Sequence, residues 1–571
     1  MSDAIARNLN LVKVLDSRLS AGEINQYAIE LGPSQITYRN YPASNLSSSQ
    51  LTFNNCNPPA NTFVDRTVYV QVEFKIDFVG TCPAGQNLLD QWGFDIAPRA
   101  LIVNNSFKNV VVSINGSNFT SDGNDLLPAF SRYHFDKLKS YLSQSCSVLD
   151  NCQKYSEAVG SNINALGSAQ TSDATGQGVY ARGGFDGVKI LTNTPTAGSI
   201  VLSATEPLII SPLSYDDFIG IKPAFYNISS FNVNTTFDND LAGRILSISD
   251  NSTATFTSVV ANPLSSNIYF GYYTTKMMES IPRVVSYPYY NTQRYIQSGL
   301  TLSAGASATL DMNTIQISSV PRKIYIYLKP SRNSYNINQS DTYARVNTLS
   351  IQFGNKSSLL GNCNAKQIYD ISKRNGLDMS WSAYNGSIEY NKPRNFSGCG
   401  GVVCIVPAKD LGLDELYVSG TAGLIQIQIK VSYTNIQPSG SAPLAYDGYV
   451  VVVSDGLATI PTINTCIQQD SVIKPDDVLN AQNVMPSLTT SDIYDYSGGS
   501  WWSDVKSWYD RNSSWIKPVA KGISSAIKVV VPETAPLLTA VGLGYSGGAY
   551  SGGGLVGGAS ISKKKLLQHM R

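Results

Sequence analysis

Histidine is almost missing from this chain: His134 and His569 are the two among 571 residues. That scarcity removes most histidine-based metal sites and leaves imidazole general-base chemistry resting on one position in the body of the chain. Charge is also sparse, at 15 % of residues, and the formal net charge of +1 argues against a protein that coats nucleic acid along its length. No GxxxxGK(S/T), HExxH or GxSxG pattern and no Rossmann glycine pattern occurs, so the common catalytic signatures are missing. No uninterrupted apolar run of about 18 residues is present, which gives no reason to place a transmembrane helix. The opening MSDAIARNLNLVKVLDSRL lacks the apolar centre of a secretion signal, so sequons such as those at Asn118, Asn227, Asn338 and Asn385 are read as unmodified. The eight cysteines (56, 82, 146, 152, 363, 399, 404 and 466) include no CxxC pair. They read as buried free thiols, with neither a metal nor a cofactor implied.

What is present is β-structure. In TVYVQVEFKIDF, Val68, Val70, Val72, Phe74, Ile76 and Phe78 alternate with mainly polar residues from Thr67 onward. Period-two alternation gives a strand with one apolar face, and six such side chains must be buried against a second sheet. Leu424–Tyr433 repeats the pattern with Ile425, Ile427, Ile429, Val431 and Tyr433. Abundant Ser, Thr, Asn and Gly and 33 tyrosines suit strands joined by turns.

Taken in order, residues 1–60 read as an N-terminal arm with a short helix at Ala4–Leu19, residues 61–245 as one sandwich and 246–465 as a second. Each block holds about eight strand candidates and a helical insertion, at Pro128–Gln144 in the first and at KQIYDISKRNG, closed by Gly376, in the second. The expectation is an all-β chain of two consecutive eight-stranded jelly-roll sandwiches with short helical insertions and a C-terminal tail, residues 466–571. Asp216/Asp217 and Asp238/Asp240 fall in loop sequence, where turn formation competes with cation binding.

Several segments carry a resemblance: Ile96–Gly116 (IAPRALIVNNSFKNVVVSING), Leu149–Gly160, RGGF at Arg182–Phe185, EPLIISPL at Glu206–Leu213, and SDTYARVNTLSIQFGN followed by QIYDISKRNG. They resemble, in order and over about Asp65–Val453, double jelly-roll major capsid proteins of polinton-like viruses and virophages. The resemblance implies two side-by-side jelly rolls per chain. Three chains would make a pseudo-hexagonal capsomer that tiles an icosahedral shell around double-stranded DNA. It also implies location in the virion, no enzymatic activity, and the chain itself, penton and minor capsid proteins as partners.

Within that picture Tyr287, Tyr289, Tyr290 and Tyr295 form the tyrosine cluster expected at an inter-subunit contact. In the tail, Trp501, Val505 and Trp508 fall at i, i+4 and i+7, with Trp515 beyond, as on one face of a short helix that anchors the tail to the inner side of the capsomer. Leu555, Val556, Gly557 and Gly558, followed by Ala559, resemble the cleavage motif of adenovirus-type cysteine proteases, which makes a viral cysteine protease a candidate partner. Lys563, Lys564, Lys565 and Arg571 make a basic end that would meet genomic DNA without reading its sequence. Two other readings compete: a cell-surface or carbohydrate-binding β-sandwich protein, which needs an export route, and a β-sandwich glycoside hydrolase, which needs a carboxylate pair.

Overall fold

The computed structural model describes residues 35–141 and 185–469, apart from short stretches inside those ranges. The strand expected at Thr67–Phe78 spans Tyr69–Thr81, and Val70, Val72, Phe74, Ile76 and Phe78 are all buried. It is central in a six-stranded antiparallel sheet. On one side lies Ala197–Pro207, followed by Gly187–Asn193 at the edge. On the other lies Thr255–Thr274, which also pairs with Gln35–Pro42 and Phe63–Val64. The facing sheet has five strands in the order Asn45–Leu46, Gln50–Phe53, Phe231–Phe237, Phe107–Ile114, Ser117–Ser121. Phe74 and Phe237 meet edge-on across the gap at 6.3 Å.

The second sandwich follows the same plan. One sheet is ordered Val284–Leu302, Leu444–Pro461, Lys323–Pro330, Val403–Ile405, with Ile467–Gln469 added beside Leu457–Thr459. The other is ordered Ser307–Asp311, Ala422–Thr434, Arg345–Phe353, Lys356–Leu359, with Ile315–Ser319 also on Ala422–Thr434. Ile425, Ile427, Ile429, Val431 and Tyr433 are buried, as the alternation requires. Short edge strands bring both sandwiches above the eight strands expected of each.

Three boundaries differ from the sequence reading. Residues 35–53 are not part of an arm: they supply three strands of the first sandwich. Gln35–Pro42 is an edge strand whose Thr37–Asn40 side chains are exposed, so it carries no alternation to betray it. TATFTSVVA and NIYFGYYTT are a single strand, Thr255–Thr274, kinked by two bulges, and it belongs to the first sandwich, not the second. The division between sandwiches therefore falls between Thr274 and Val284 instead of at 245/246. Finally, Ile467–Gln469 is not tail but pairs into the second sandwich.

Two helices were legible. The first spans Gly123–Tyr141. The second, Ala365–Arg374, begins in a reciprocal cap between Asn364 and Gln367 and ends before Gly376, whose φ of +100° suits glycine.

Candidate functional site

The two sandwiches exchange parts across a seam. Helix Gly123–Tyr141 follows directly on the first sandwich's Ser117–Ser121 strand. Its Leu126, Ala129, Phe130 and Tyr133 side chains nevertheless lie in the core of the second. The Phe130 ring centre is 4.7 Å from that of Tyr325, and Tyr133 meets the same ring edge-on at 5.2 Å. The Tyr133 hydroxyl donates to the Val402 carbonyl at 2.6 Å, and Tyr327 donates to the Asp125 carbonyl at 2.8 Å. This explains why Lys323–Pro330 is buried on both faces: Ile324, Ile326 and Leu328 face one layer while Tyr325 and Tyr327 lie beneath a helix from the other sandwich.

The exchange runs the other way as well. Tyr287, Tyr289, Ala458 and Ile460, from second-sandwich strands, and Cys466, just before Ile467–Gln469, lie in the first core. Tyr287 packs edge-on against Phe225 at 4.9 Å, and Tyr289 against Phe119 at 5.1 Å. The Tyr290 amide donates to the Ser211 hydroxyl.

Charges lock the seam. Asp341 of the second sandwich receives Arg244 at 3.1 Å and Arg99 at 3.9 Å from the first. Burial disfavours the Asp341 carboxylate, but the cations of Arg244, Lys329 and Arg99 outweigh it and hold its pKa well below the usual carboxylate range. Arg132 donates to the Asp341 carbonyl at 3.1 Å and lies 5.2 Å from the Tyr343 ring centre. Asp125 of the first sandwich pairs with Arg294 and, at 3.5 Å, with Lys329 of the second. Arg294 also reaches Asp122 at 3.1 Å. A cleft of about 440 Å³ opens here, lined by Lys108, Asp125, Arg294, Ser298, Asp447 and Tyr449 among others. Burial and the nearby Asp125 charge raise the Asp447 pKa, against an opposing hydrogen bond from Ser298.

The tyrosines expected at an inter-subunit contact are placed otherwise. Tyr287, Tyr289 and Tyr290 are only 3 %, 5 % and 7 % exposed, because they fill the seam within one chain, which removes them from the outer surface. Tyr295 is half-buried and packs at the edge of the second core. Asp238 accepts from the Asn124 side chain, and Asp240 caps helix Leu241–Ile245 through the Gly243 amide, so this pair shapes a turn. Asp216 and Asp217 lie outside the described residues, as do Trp501, Val505, Trp508, Trp515, Leu555–Ala559, Lys563, Lys564, Lys565 and Arg571. His134 is on helix Gly123–Tyr141. Six of the cysteines are described, all as free thiols, with Cys56, Cys399, Cys404 and Cys466 buried. Burial pushes the Cys56 thiol up to about 12, which makes it inert.

Sequence reasoning missed Asp341, Arg244, Arg99 and Asp125. The available signal was ionic residues set inside otherwise apolar or turn-poor stretches, as Arg99 is in IAPRALIV.

Comparison with known proteins places this chain in a family. Residues 8–277 match the Sputnik virophage major capsid protein 1st domain, and residues 287–456 match the major capsid protein V20 C-terminal domain. The capsid protein V20 of Sputnik virophage is 30 % identical over 527 residues, which cover 88 % of this chain and 86 % of that one. This chain belongs to the virophage major capsid protein family. The passage between the two matched domains, 278–286, coincides with the division between Thr274 and Val284. A chain in the cryo-EM structure of Sputnik virophage superimposes with a TM-score of 0.73 at 29 % identity, covering 85 % of this chain and 98 % of that one. The crystal structure of the mavirus major capsid protein shares the fold, with a TM-score of 0.67 at 17 % identity, covering 84 % and 99 %. The fold is the double jelly roll of viral capsid proteins, and this virophage-type major capsid protein has its two rolls joined by the seam.

Proposed function

We propose that three copies of this capsid protein close into a pseudo-hexagonal capsomer, and that capsomers tile an icosahedral shell around a double-stranded DNA genome. The observation that carries this reading is the seam. A hexagonal outline made by three chains needs two similar sandwiches held in one fixed relative pose. Helix exchange and buried ion pairs supply that rigidity. The role is structural and the site of action is the virion, with penton and minor capsid proteins as lattice neighbours. The basic end from Lys563 would contact genome phosphate, and a viral cysteine protease would cut after Gly558.

The test is the solution mass of the purified full chain, with negative-stain imaging. A particle three times the 61.7 kDa chain mass with a hexagonal outline, or closed shells, is the expected result. A monodisperse monomer at assembly concentrations overturns the trimer.

A further inference from the structure

The two sandwiches correspond strand for strand. The sheet order Gln35–Pro42, Thr255–Thr274, Tyr69–Thr81, Ala197–Pro207 in the first repeats in the second as Val284–Leu302, Leu444–Pro461, Lys323–Pro330, Val403–Ile405. The facing sheets match in the same way, so Ser117–Ser121 corresponds to Lys356–Leu359. A helix follows each of these two strands, Gly123–Tyr141 in the first sandwich and Ala365–Arg374 in the second.

The corresponding sheets differ in what covers them. On the outer face of the second sandwich's sheet, Tyr325, Tyr327, Tyr449 and Val451 are at most 2 % exposed, with Tyr325 beneath helix Gly123–Tyr141. On the outer face of the first, the equivalent strands carry Gln71, Glu73, Lys75 and Asp77, with Asn262 and Val260 beside the last two. These positions are half-buried or exposed, and Gln71, Glu73 and Asp77 bond to Ser203, Ser265 and Ser199 of the same sheet. No described helix buries them.

Charge distinguishes this face. Lys75 is held by Asp77 at 3.1 Å, and Asp186 and Lys189 at the sheet edge offset one another, which leaves Glu73 and Asp65 in surplus. Helix Ala365–Arg374 has the opposite balance. Its Lys366 is held by Asp370 at 3.1 Å, which leaves Lys373 and Arg374, both exposed, in surplus. The next carboxylate, Asp378, lies at the chain's own seam, where its amide donates to the Arg132 carbonyl at 2.8 Å.

A ring of six sandwiches from three chains gives each first sandwich two neighbours, both of them second sandwiches. One is joined to it by the seam, and the other belongs to another copy. A hexagonal outline repeats one step around the ring, and the seam shows the step: the helix after the matched strand meets the outer sheet of the next sandwich. We propose that the outer face of the six-stranded sheet, centred on Gln71, Glu73, Lys75 and Asp77, is the docking surface for helix Ala365–Arg374 of a second copy. This deepens the capsomer reading and rests on it. The joint between copies is polar where the seam is apolar, because this face stays wet in the free chain while the seam closes within one chain.

The experiment reassembles trimers from a mixture of two full-length chains. One is unlabelled and carries the photo-crosslinker p-benzoylphenylalanine in place of Tyr69 or, separately, Val260, which are 38 % and 49 % exposed on this face. The other is isotope-labelled and unsubstituted, so a hybrid crosslink joins two copies. After illumination and trypsin, the unlabelled peptides 67–75 or 245–276 should be joined to labelled 367–373 or 375–394. A particle of trimer mass whose hybrid crosslinks fall elsewhere, or that gives none, overturns the docking surface alone, whereas a monomer overturns the capsomer with it. Charge reversal gives a second reading. Lys373→Glu/Arg374→Glu should raise the concentration at which the trimer dissociates about tenfold or more, and adding Glu73→Lys should recover part of the loss. Unchanged dissociation, or no recovery, overturns the pairing of these charges. The crosslinked chains keep their natural charges, so they judge the surface even if a reversed variant fails to fold.

Discussion

The two sandwiches share a plan but fill it with different side chains. The first core is built on phenylalanine, with Phe74, Phe107, Phe231, Phe237 and Phe270 meeting edge-on or tilted. The second is built on tyrosine, with Tyr325, Tyr327, Tyr343, Tyr384, Tyr433 and Tyr446 among its most buried side chains. The difference follows from what covers each sheet. The first sandwich closes sheet on sheet, where apolar rings suffice. In the second, one sheet is also roofed by a helix from the first sandwich, so its rings approach backbone carbonyls that need donors. The hydroxyls of Tyr133 and Tyr327 supply them, to Val402 and Asp125. Each sandwich thus takes side chains of the other into its core, a helix face in one direction and Tyr287, Tyr289, Ala458 and Ile460 in the other.

The sharpest way to break the joint between the two sandwiches is at Asp341. Asp341→Ala strands Arg99 and Arg244 in the seam and should cost about 3–5 kcal/mol, read as a lowered urea midpoint. Because its pKa is depressed, Asp341 contributes stability above the unfolded value of about 4 and loses that contribution as pH falls below it. The slope of stability against pH below 4 should therefore flatten in Asp341→Asn.

Phe130→Ala should cost about 3 kcal/mol. Hydrogen exchange should report the loss in Lys323–Pro330 and Leu444–Pro461, strands of the other sandwich, before it reports any in Tyr69–Thr81. Equal loosening of both sandwiches would refute the assignment of Phe130 to the second core. Tyr327→Phe, which removes only the hydroxyl to Asp125, should cost about 1 kcal/mol.

Asp447 tests the opposite sign. Its raised pKa means that its charge weakens the fold at neutral pH and that this penalty vanishes in acid. Asp447→Asn should therefore stabilise slightly at pH 7 and not at pH 3, measured as a shift in Tm. At the bottom of the scale, Lys75→Ala removes an exposed pair with Asp77 and should change stability by less than about 1 kcal/mol.

How much of this was legible depended on whether a residue's neighbours lie in the same element. Tyr69–Thr81 and Ala422–Thr434 announce themselves because one face is buried and the other is not. Helix Ala365–Arg374 is framed by its own caps. Gln35–Pro42 escaped because an edge strand with both faces wet has no pattern. Thr255–Thr274 was divided into two because its bulges shift the alternation by a residue. The seam was the hardest to see. Tyr287, Tyr289 and Tyr290 look like surface tyrosines until the other sandwich is placed on them, and Arg244 and Asp341 are 97 residues apart. No local rule connects charges at that separation; only the resemblance to capsid proteins put the two sandwiches side by side in advance.

Helix Gly123–Tyr141 also sets an order of events at the ribosome. It is made long before Tyr325 and Tyr327, the rings it will cover. At roughly 5–20 residues per second, that interval is on the order of 10–40 s. The first sandwich's core strand Thr255–Thr274 is also finished before Lys323–Pro330 appears. The nascent chain therefore presents Leu126, Phe130 and Tyr133 as a waiting template, and the second sandwich condenses onto it last. A chain released without that final step would expose the helix's apolar face, so the timing of translation becomes part of how cleanly the two sandwiches join.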